Sequence, residues 1–161
     1  MKIIRQKKHP DCSLIATIHG GILNGFLKEK KYTQEYCEKL MEGYYWKSPD
    51  MAVAFLNALW EKLKVYPITF TQAKKMIDSW KSIVCFMNYT YDWWTNYAED
   101  RIENATKDMK WDPNKRHYLV IKGEKNGVFL YDSNFPIPYK IDYWERFCRE
   151  WVLKKFFIIW R

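Results

Sequence analysis

The first twenty-five residues constrain the fold most, because they combine a helix start, a long apolar stripe and a cysteine. Pro10 and Asp11 are typical of a helix start, since the residue before a proline avoids the helical region and an aspartate can cap free backbone N–H groups. The apolar residues that follow at helical spacing are Leu14, Ile15, Ile18, Ile22 and Phe26. This pattern predicts a buried helix with Cys12 in its first turn.

The position of Cys12 suits a nucleophile. Unpaired N–H groups and the positive end of the helix macrodipole both favour a thiolate in the first turn. A cysteine near a helix start is, however, more often a small buried hydrophobe than a nucleophile. Its role therefore depends on partners elsewhere in the chain.

Composition indicates one folded domain over residues 1–161. Hydrophobic residues make up 48% and aromatic residues 19% of the chain, which argues against disorder. The net charge is +8, but the basic residues are scattered and form no nucleic-acid motif. We therefore expect no specific nucleic-acid partner, only weak attraction to acidic molecules.

The four cysteines form no CxxC pair, so we expect no metal site and no cofactor. Their wide spacing suits reduced thiols. The sequence shows no signal peptide and no run of eighteen apolar residues. These features predict a cytoplasmic or particle-associated protein without a membrane span. The cysteines expected to be buried and inert are Cys37, Cys85 and Cys148.

Capping residues predict further helices, and short apolar runs predict strands. Three helices are expected to start at Thr33, at Ser48 with Pro49, and at Thr71. Another is expected over residues 141–151. The expected strands are 64–68, 82–87, 117–123, 128–132 and 156–160. Helices thus dominate the first half and an antiparallel sheet the second, an α+β fold with the sheet packed against the Cys12 helix.

A hairpin is predicted between the third and fourth of these strands. Asn126-Gly127 would supply the two positive φ angles that a tight turn requires. Pairing across that turn would bring His117 and Asp132 to the same end of the sheet.

Residues 88–115 break the pattern and are predicted to be a long insertion, a length uncommon unless functional. Aromatic residues crowd its first part, from Tyr89 to Tyr97. This aromatic cluster could form the wall of a substrate groove, a docking surface for a protein partner, or simple packing.

Thiol catalysis needs a base, a group that orients the base, and a donor to the oxyanion. We predict that His117 is the base and that Asp132 accepts its Nδ1–H, which leaves Nε2 to face Cys12. A thiolate–imidazolium pair of this kind is a strong nucleophile. Gln6 could place its amide N–H beside the backbone N–H of Cys12, and the two would form an oxyanion hole.

These motifs resemble the papain-like cysteine peptidases, and most closely their C39-like branch, which comprises bacteriocin-processing peptidase domains and their stand-alone relatives. The resemblance is carried by Gln6-x5-Cys12 before an apolar helix, by the His-Tyr-Leu-Val-Ile-x-Gly strand 117–123, and by the Val-Phe-Leu-Tyr-Asp strand 128–132. It covers most of the chain apart from residues 88–115.

The resemblance implies a papain-like fold and a peptidase that hydrolyses a peptide or isopeptide bond in a peptide or protein substrate. It also implies roles: Cys12 is the nucleophile, His117 the base, Asp132 the orienting carboxylate and Gln6 the oxyanion donor. Two positions depart from the family pattern and bear on substrate class. Ser13 stands where a glycine usually follows the cysteine, and Ser133 where proline often follows the aspartate.

Two other functions stay open at this point. A catalytically silent interaction module of the same fold, virus-encoded or packaged in a particle, would suit the basic charge, the aromatic residues and the insertion. An amidase acting on cell-wall peptides ranks below it, because no wall-binding repeat is present.

His19 is expected to be a packing residue and Asp11 a helix cap.

Overall fold

The computed structural model describes residues 1–7, 11–42, 48–88, 116–135, 137–141 and 153–161. The described helices are α1 (Cys12–Leu23), α2 (Gln34–Met41), α3 (Pro49–Ala58) and α4 (Phe70–Asp78). The described strands are β1 (Lys64–Ile68), β2 (Ser82–Asn88), β3 (Arg116–Glu124), β4 (Gly127–Tyr131), β5 (Tyr139–Ile141) and β6 (Leu153–Trp160). The predicted α+β class is confirmed.

Two predicted segments fall mostly outside the described residues. Asn88, the first residue of the predicted insertion, belongs to β2, and residues 89–115 lie outside the described ranges. The start of the helix predicted over 141–151 is wrong, because Ile141 belongs to β5. The other residues of that predicted helix lie outside the described ranges.

The six strands form one sheet in the order β1-β6-β2-β3-β4-β5, and all the paired strands are antiparallel. The last strand of the chain lies between β1 and β2, where Cys85 pairs with Phe156 on one side and Leu119 on the other. The centre of the sheet is therefore assembled from residues far apart in sequence.

Helix α1 lies directly on the sheet, as the sequence predicts. Every residue from Cys12 to Gly21 is buried. The approach is close at Gly20, where a Cβ atom would come within 3.1 Å of the Val84 side chain and 3.2 Å of the Ile159 side chain. A side chain at position 20 would require these two side chains to shift by a few tenths of an ångström.

Alternating strand residues divide the core between the two faces of the sheet. Val84 and Val120 pack with α1 and α3, whereas Cys85 and Leu119 pack with α4. The first face also contains Cys12. Both faces of the sheet are thus covered by helices.

The predicted helix starts are largely confirmed. The hydroxyls of Thr33 and Ser48 accept hydrogen bonds from the backbone N–H groups of the first turns of α2 and α3. The start predicted at Thr71 is wrong by two positions, because Thr69 caps α4 in a reciprocal capping box with Gln72.

The hairpin between β3 and β4 forms with its turn at residues 124–127, as predicted, but only one of the two expected positive φ angles is present. Glu124 pairs with Gly127, so the turn residues are Lys125 and Asn126. Gly127 has a φ of 136°, whereas Asn126 is not among the residues with positive φ. The left-handed geometry is needed after the turn, where glycine alone adopts it without strain.

Among the described helices, none is both long and apolar enough to cross a lipid bilayer.

Candidate active site

Strand pairing brings His117 and Asp132 into contact, as the hairpin predicts. His117 lies at the start of β3, and Asp132 follows the end of β4. The imidazole Nε2 is 2.7 Å from the carboxylate Oδ1. Both side chains are fully buried, so little water screens the interaction.

The imidazole is turned the opposite way from the predicted orientation. In the predicted orientation Nδ1 faces Asp132 and Nε2 faces Cys12, but in the structure Nε2 contacts the carboxylate. The last ladder pair is Val120 with Tyr131, so Asp132 lies in the turn beyond the ladder rather than opposite His117. Nε2 is therefore the nitrogen that the carboxylate uses, and Nδ1 is the nitrogen that Asp132 does not contact.

Cys12 also acts on the His117 imidazole. It is the first residue of α1, and its interaction with the His117 imidazole contributes to the raised pKa of that ring. Burial alone would lower the pKa of His117, but the charge and hydrogen bond of Asp132, followed by the interaction with Cys12, raise it well above its usual value. The site therefore favours an imidazolium beside the Asp132 carboxylate.

A tight turn holds Asp132 in place. Its Oδ1 accepts a hydrogen bond from the backbone N–H of Asn134 at 2.9 Å, and its carbonyl accepts one from Phe135 N–H at 3.0 Å. The Asn134 side-chain nitrogen lies 3.4 Å from His117 Nε2. Asn134 was missed by the sequence analysis, although the Asp-Ser-Asn sequence is typical of an Asx turn.

Gln6 lies beside the same turn. Its backbone N–H donates to the Ser133 carbonyl at 3.3 Å, and its side-chain Oε1 accepts from the Ser133 hydroxyl at 2.6 Å. The amide oxygen is thus occupied, and the amide NH2 group is the end turned away from Ser133. These contacts connect Gln6 to the turn that carries Asp132, and the predicted oxyanion role stays a prediction.

His19 is a buried packing residue, as expected, but it also makes one specific contact. Its Nε2 accepts a hydrogen bond from the backbone N–H of Ile4 at 3.0 Å. Burial lowers the pKa of His19 to about 3, although the negative charge of Asp132 opposes this shift. The neutral ring can therefore serve as an acceptor that ties the N-terminal segment to α1.

The capping role predicted for Asp11 is wrong. Asp11 occupies the N-cap position of α1 and is buried, but its side chain makes no capping hydrogen bond. Its φ and ψ of −74° and −14° are helical, whereas a capping residue is normally extended. In the helical conformation the carboxylate cannot reach back to the N–H groups of the first turn.

The other described cysteines are free and buried, namely Cys37 and Cys85. Burial raises the pKa of the Cys37 thiol to about 12, which makes it a poor nucleophile at neutral pH. Cys148, His9 and the Tyr89–Tyr97 aromatic cluster lie outside the described residues.

A cleft of about 430 Å³ opens beside β3 and β6. Its lining consists of Ser48, Asp50, Pro67, Ile68, Tyr118, Lys155, Phe156 and Phe157. Tyr118 follows His117 in β3 and belongs to the same apolar cluster as Cys12. The lining does not include Cys12, His117 or Asp132, and Asp50 and Lys155 contribute a carboxylate and an ammonium group to it.

Within the described part of the chain, no group of three or more His, Cys, Asp or Glu side chains could hold a metal ion. Comparisons with protein-family models, curated proteins and solved structures give no match for this chain.

Proposed function

We propose that the protein is a cysteine peptidase of the papain-like, C39-like type, with Cys12, His117 and Asp132 as its triad. The observation that carries the proposal is the buried 2.7 Å contact between His117 Nε2 and Asp132 Oδ1, together with the interaction of Cys12 with the same imidazole. A thiol at a helix start, a base and an orienting carboxylate are the groups that acyl transfer through sulfur requires.

In the proposed reaction, the Cys12 thiolate attacks the carbonyl carbon of the scissile bond. His117 Nδ1 then donates its proton to the leaving amine, and the C–N bond breaks to leave a thioester. Water attacks the thioester while His117 accepts a proton, and the carboxylic acid product is released. Asp132 stabilises the imidazolium throughout, and Gln6 NH2 and the Cys12 N–H stabilise the oxyanion.

The cleft next to Tyr118 is the proposed position for part of the substrate. Tyr118, Phe156 and Phe157 are buried and give it apolar walls. Asp50 and Lys155 are exposed, and they could pair with the N–H and C=O groups of an extended peptide. This lining favours a peptide that carries a large apolar side chain.

Alkylation by iodoacetamide near pH 7 tests the proposal, with mass spectrometry of each cysteine peptide. Cys12 is expected to react at least about tenfold faster than Cys37 and Cys85, since the thiolate is the reacting form. A Cys12→Ser variant should lose cleavage of any peptide that the wild-type protein cuts. Equal reactivity of the three thiols would exclude an activated nucleophile.

A second function is favoured by the burial of the triad. Only 4% of the Cys12 surface is exposed, and His117 and Asp132 are 0% exposed, as in a packed core. A silent interaction module would keep this cluster for stability alone. In that case Cys12→Ala would retain every complex that the protein forms and every biological effect, whereas loss of the effect would favour the peptidase.

A further inference from the structure

We infer that Arg5 is a positioning residue that holds the turn carrying Asp132, and through that turn the His117 imidazole. The inference rests on the proposed function for its catalytic meaning. Arg5 lies in the N-terminal segment of residues 1–7, remote in sequence from the turn that it contacts, and it belongs to no motif of the triad.

The guanidinium of Arg5 binds two successive backbone carbonyls. Its Nε donates to the Ser133 carbonyl at 3.0 Å, and its Nη2 donates to the Asn134 carbonyl at 3.1 Å. The planar guanidinium presents both N–H groups in a fixed relative geometry. A lysine at position 5 could bring the charge but could not span both carbonyls in this way.

These two carbonyls belong to the turn that orients the imidazole. Inside the turn, Asp132 accepts hydrogen bonds from the N–H groups of Asn134 and Phe135. Arg5 binds the turn from outside at two carbonyls, one of which, the Ser133 carbonyl, also accepts from the Gln6 backbone N–H. If these donors are lost, the turn can rotate, and Asp132 Oδ1 would move away from His117 Nε2.

Arg5 is itself held by two helices. Gln34 of α2 pairs with the Arg5 backbone in both directions, accepting from its N–H at 2.6 Å and donating to its carbonyl at 3.0 Å. The preceding residue, Ile4, is held by His19 of α1. The guanidinium therefore reaches the turn from a segment that is anchored to the helical layer.

The test compares the full-length Arg5→Gln and Arg5→Lys variants with Lys2→Gln, which removes an exposed positive charge from the same segment. The probe is iodoacetamide, and the rate of Cys12 alkylation is measured against pH. For Arg5→Gln we expect Cys12 alkylation to be about tenfold slower at pH 7. A tenfold change corresponds to a decrease of one unit in the pKa of the His117 imidazolium. Arg5→Lys should be intermediate, and Lys2→Gln should match the wild type.

A second readout is the NMR signal of the His117 Nε2–H proton, which reports its contact with Asp132. Arg5→Gln should shift or broaden this signal, and Lys2→Gln should not. A wild-type signal and a wild-type alkylation profile in Arg5→Gln would overturn the inference.

If Arg5→Gln does not fold, Arg5→Lys decides the question, because it retains the charge but cannot bind both carbonyls. Wild-type behaviour of Arg5→Lys in both measurements would then overturn the inference, whereas slower alkylation in a folded protein would support it. If the proposed function is wrong, the same measurements give a different result. Wild-type Cys12 would then react no faster than Cys37, while the His117 signal would still report the effect of Arg5.

Discussion

At the scale of residues, the Asp132 carboxylate controls the charge of His117. Burial opposes an imidazolium, and Asp132 outweighs that opposition by its charge and hydrogen bond. We therefore expect Asp132→Asn to lower the pKa of His117 from about 10 by at least one unit, and the onset of Cys12 alkylation to move to higher pH. An NMR titration of the imidazole measures the first effect directly.

The control for this prediction is Asp78→Asn, which neutralises an exposed carboxylate at the end of α4. It should leave the titration of His117 unchanged, because solvent screens such a charge. An unchanged titration in Asp132→Asn would show that the carboxylate is not the source of the raised pKa.

The oxyanion role of Gln6 can be separated from activation of the thiol. Cleavage of a peptide bond passes through an oxyanion, whereas alkylation by iodoacetamide does not. Gln6→Ala is therefore expected to reduce kcat/KM by about 100-fold for the peptide that the wild-type protein cleaves fastest. The rate of Cys12 alkylation should stay within about threefold of the wild-type rate, less than the tenfold effect of one pKa unit.

Ser133→Ala is the matched control for Gln6, since it removes the hydroxyl that binds the amide oxygen and leaves the amide NH2 group in place. Its effect on kcat/KM should be smaller than that of Gln6→Ala. Equal loss of alkylation and cleavage in Gln6→Ala would contradict the oxyanion role and indicate that Gln6 acts through the Asp132 turn.

At the scale of elements, the features that were predicted correctly depend on contacts between residues that are close in sequence. Hydroxyl caps at Thr33 and Ser48, the apolar stripe of α1 and the hairpin after β3 each depend on neighbouring residues, and each appears in the structure. The insertion of β6 between β1 and β2 could not be predicted, because it depends on tertiary packing of segments distant in sequence.

In the candidate active site, too, some features follow from local sequence and others only from the complete fold. The meeting of His117 and Asp132 follows from hairpin pairing, whereas the direction of the imidazole depends on the turn geometry beyond the ladder. Arg5 carries no local motif, and its contact with Ser133 joins residues that only the complete fold brings together. Spacing patterns contain no information about such a contact.

The packing of α4 on β3 gives a prediction at this scale. A Cβ atom on Gly123 would lie 1.9 Å from the backbone carbonyl oxygen of Ile77, and a backbone atom cannot move aside cheaply. Gly123→Ala should therefore displace α4 and destabilise the protein by about 2–3 kcal/mol, an overpacking effect. Urea unfolding monitored by circular dichroism measures this loss.

Gly25→Ala is a suitable comparison for Gly123→Ala, because nothing lies within 4 Å of its Cβ position but its φ is +81°. It should lose only about 1 kcal/mol, the penalty of a left-handed conformation for a residue with a side chain. If Gly123→Ala were the more stable of the two variants, the close approach of α4 to β3 would be contradicted.

At the scale of the whole molecule, two buried histidines respond to pH in opposite directions. The pKa of His19 is lowered to about 3, so the unfolded chain binds a proton that the native state excludes as pH falls below about 6.5. The pKa of His117 is raised, so its stabilising contribution is complete below about 6.5 and is lost as pH rises towards 10. The sum of the two contributions is therefore greatest near pH 6.5 and falls on either side of it.

His19→Gln tests the acid side of this dependence. A glutamine carbonyl could accept the Ile4 N–H as the imidazole does, but it takes up no proton between pH 3 and 6.5. We expect the free energy of unfolding of the wild-type protein to fall by about 1–3 kcal/mol more than that of His19→Gln between pH 6.5 and 4. Urea unfolding at each pH measures the difference, and parallel curves for the two proteins would contradict a neutral His19.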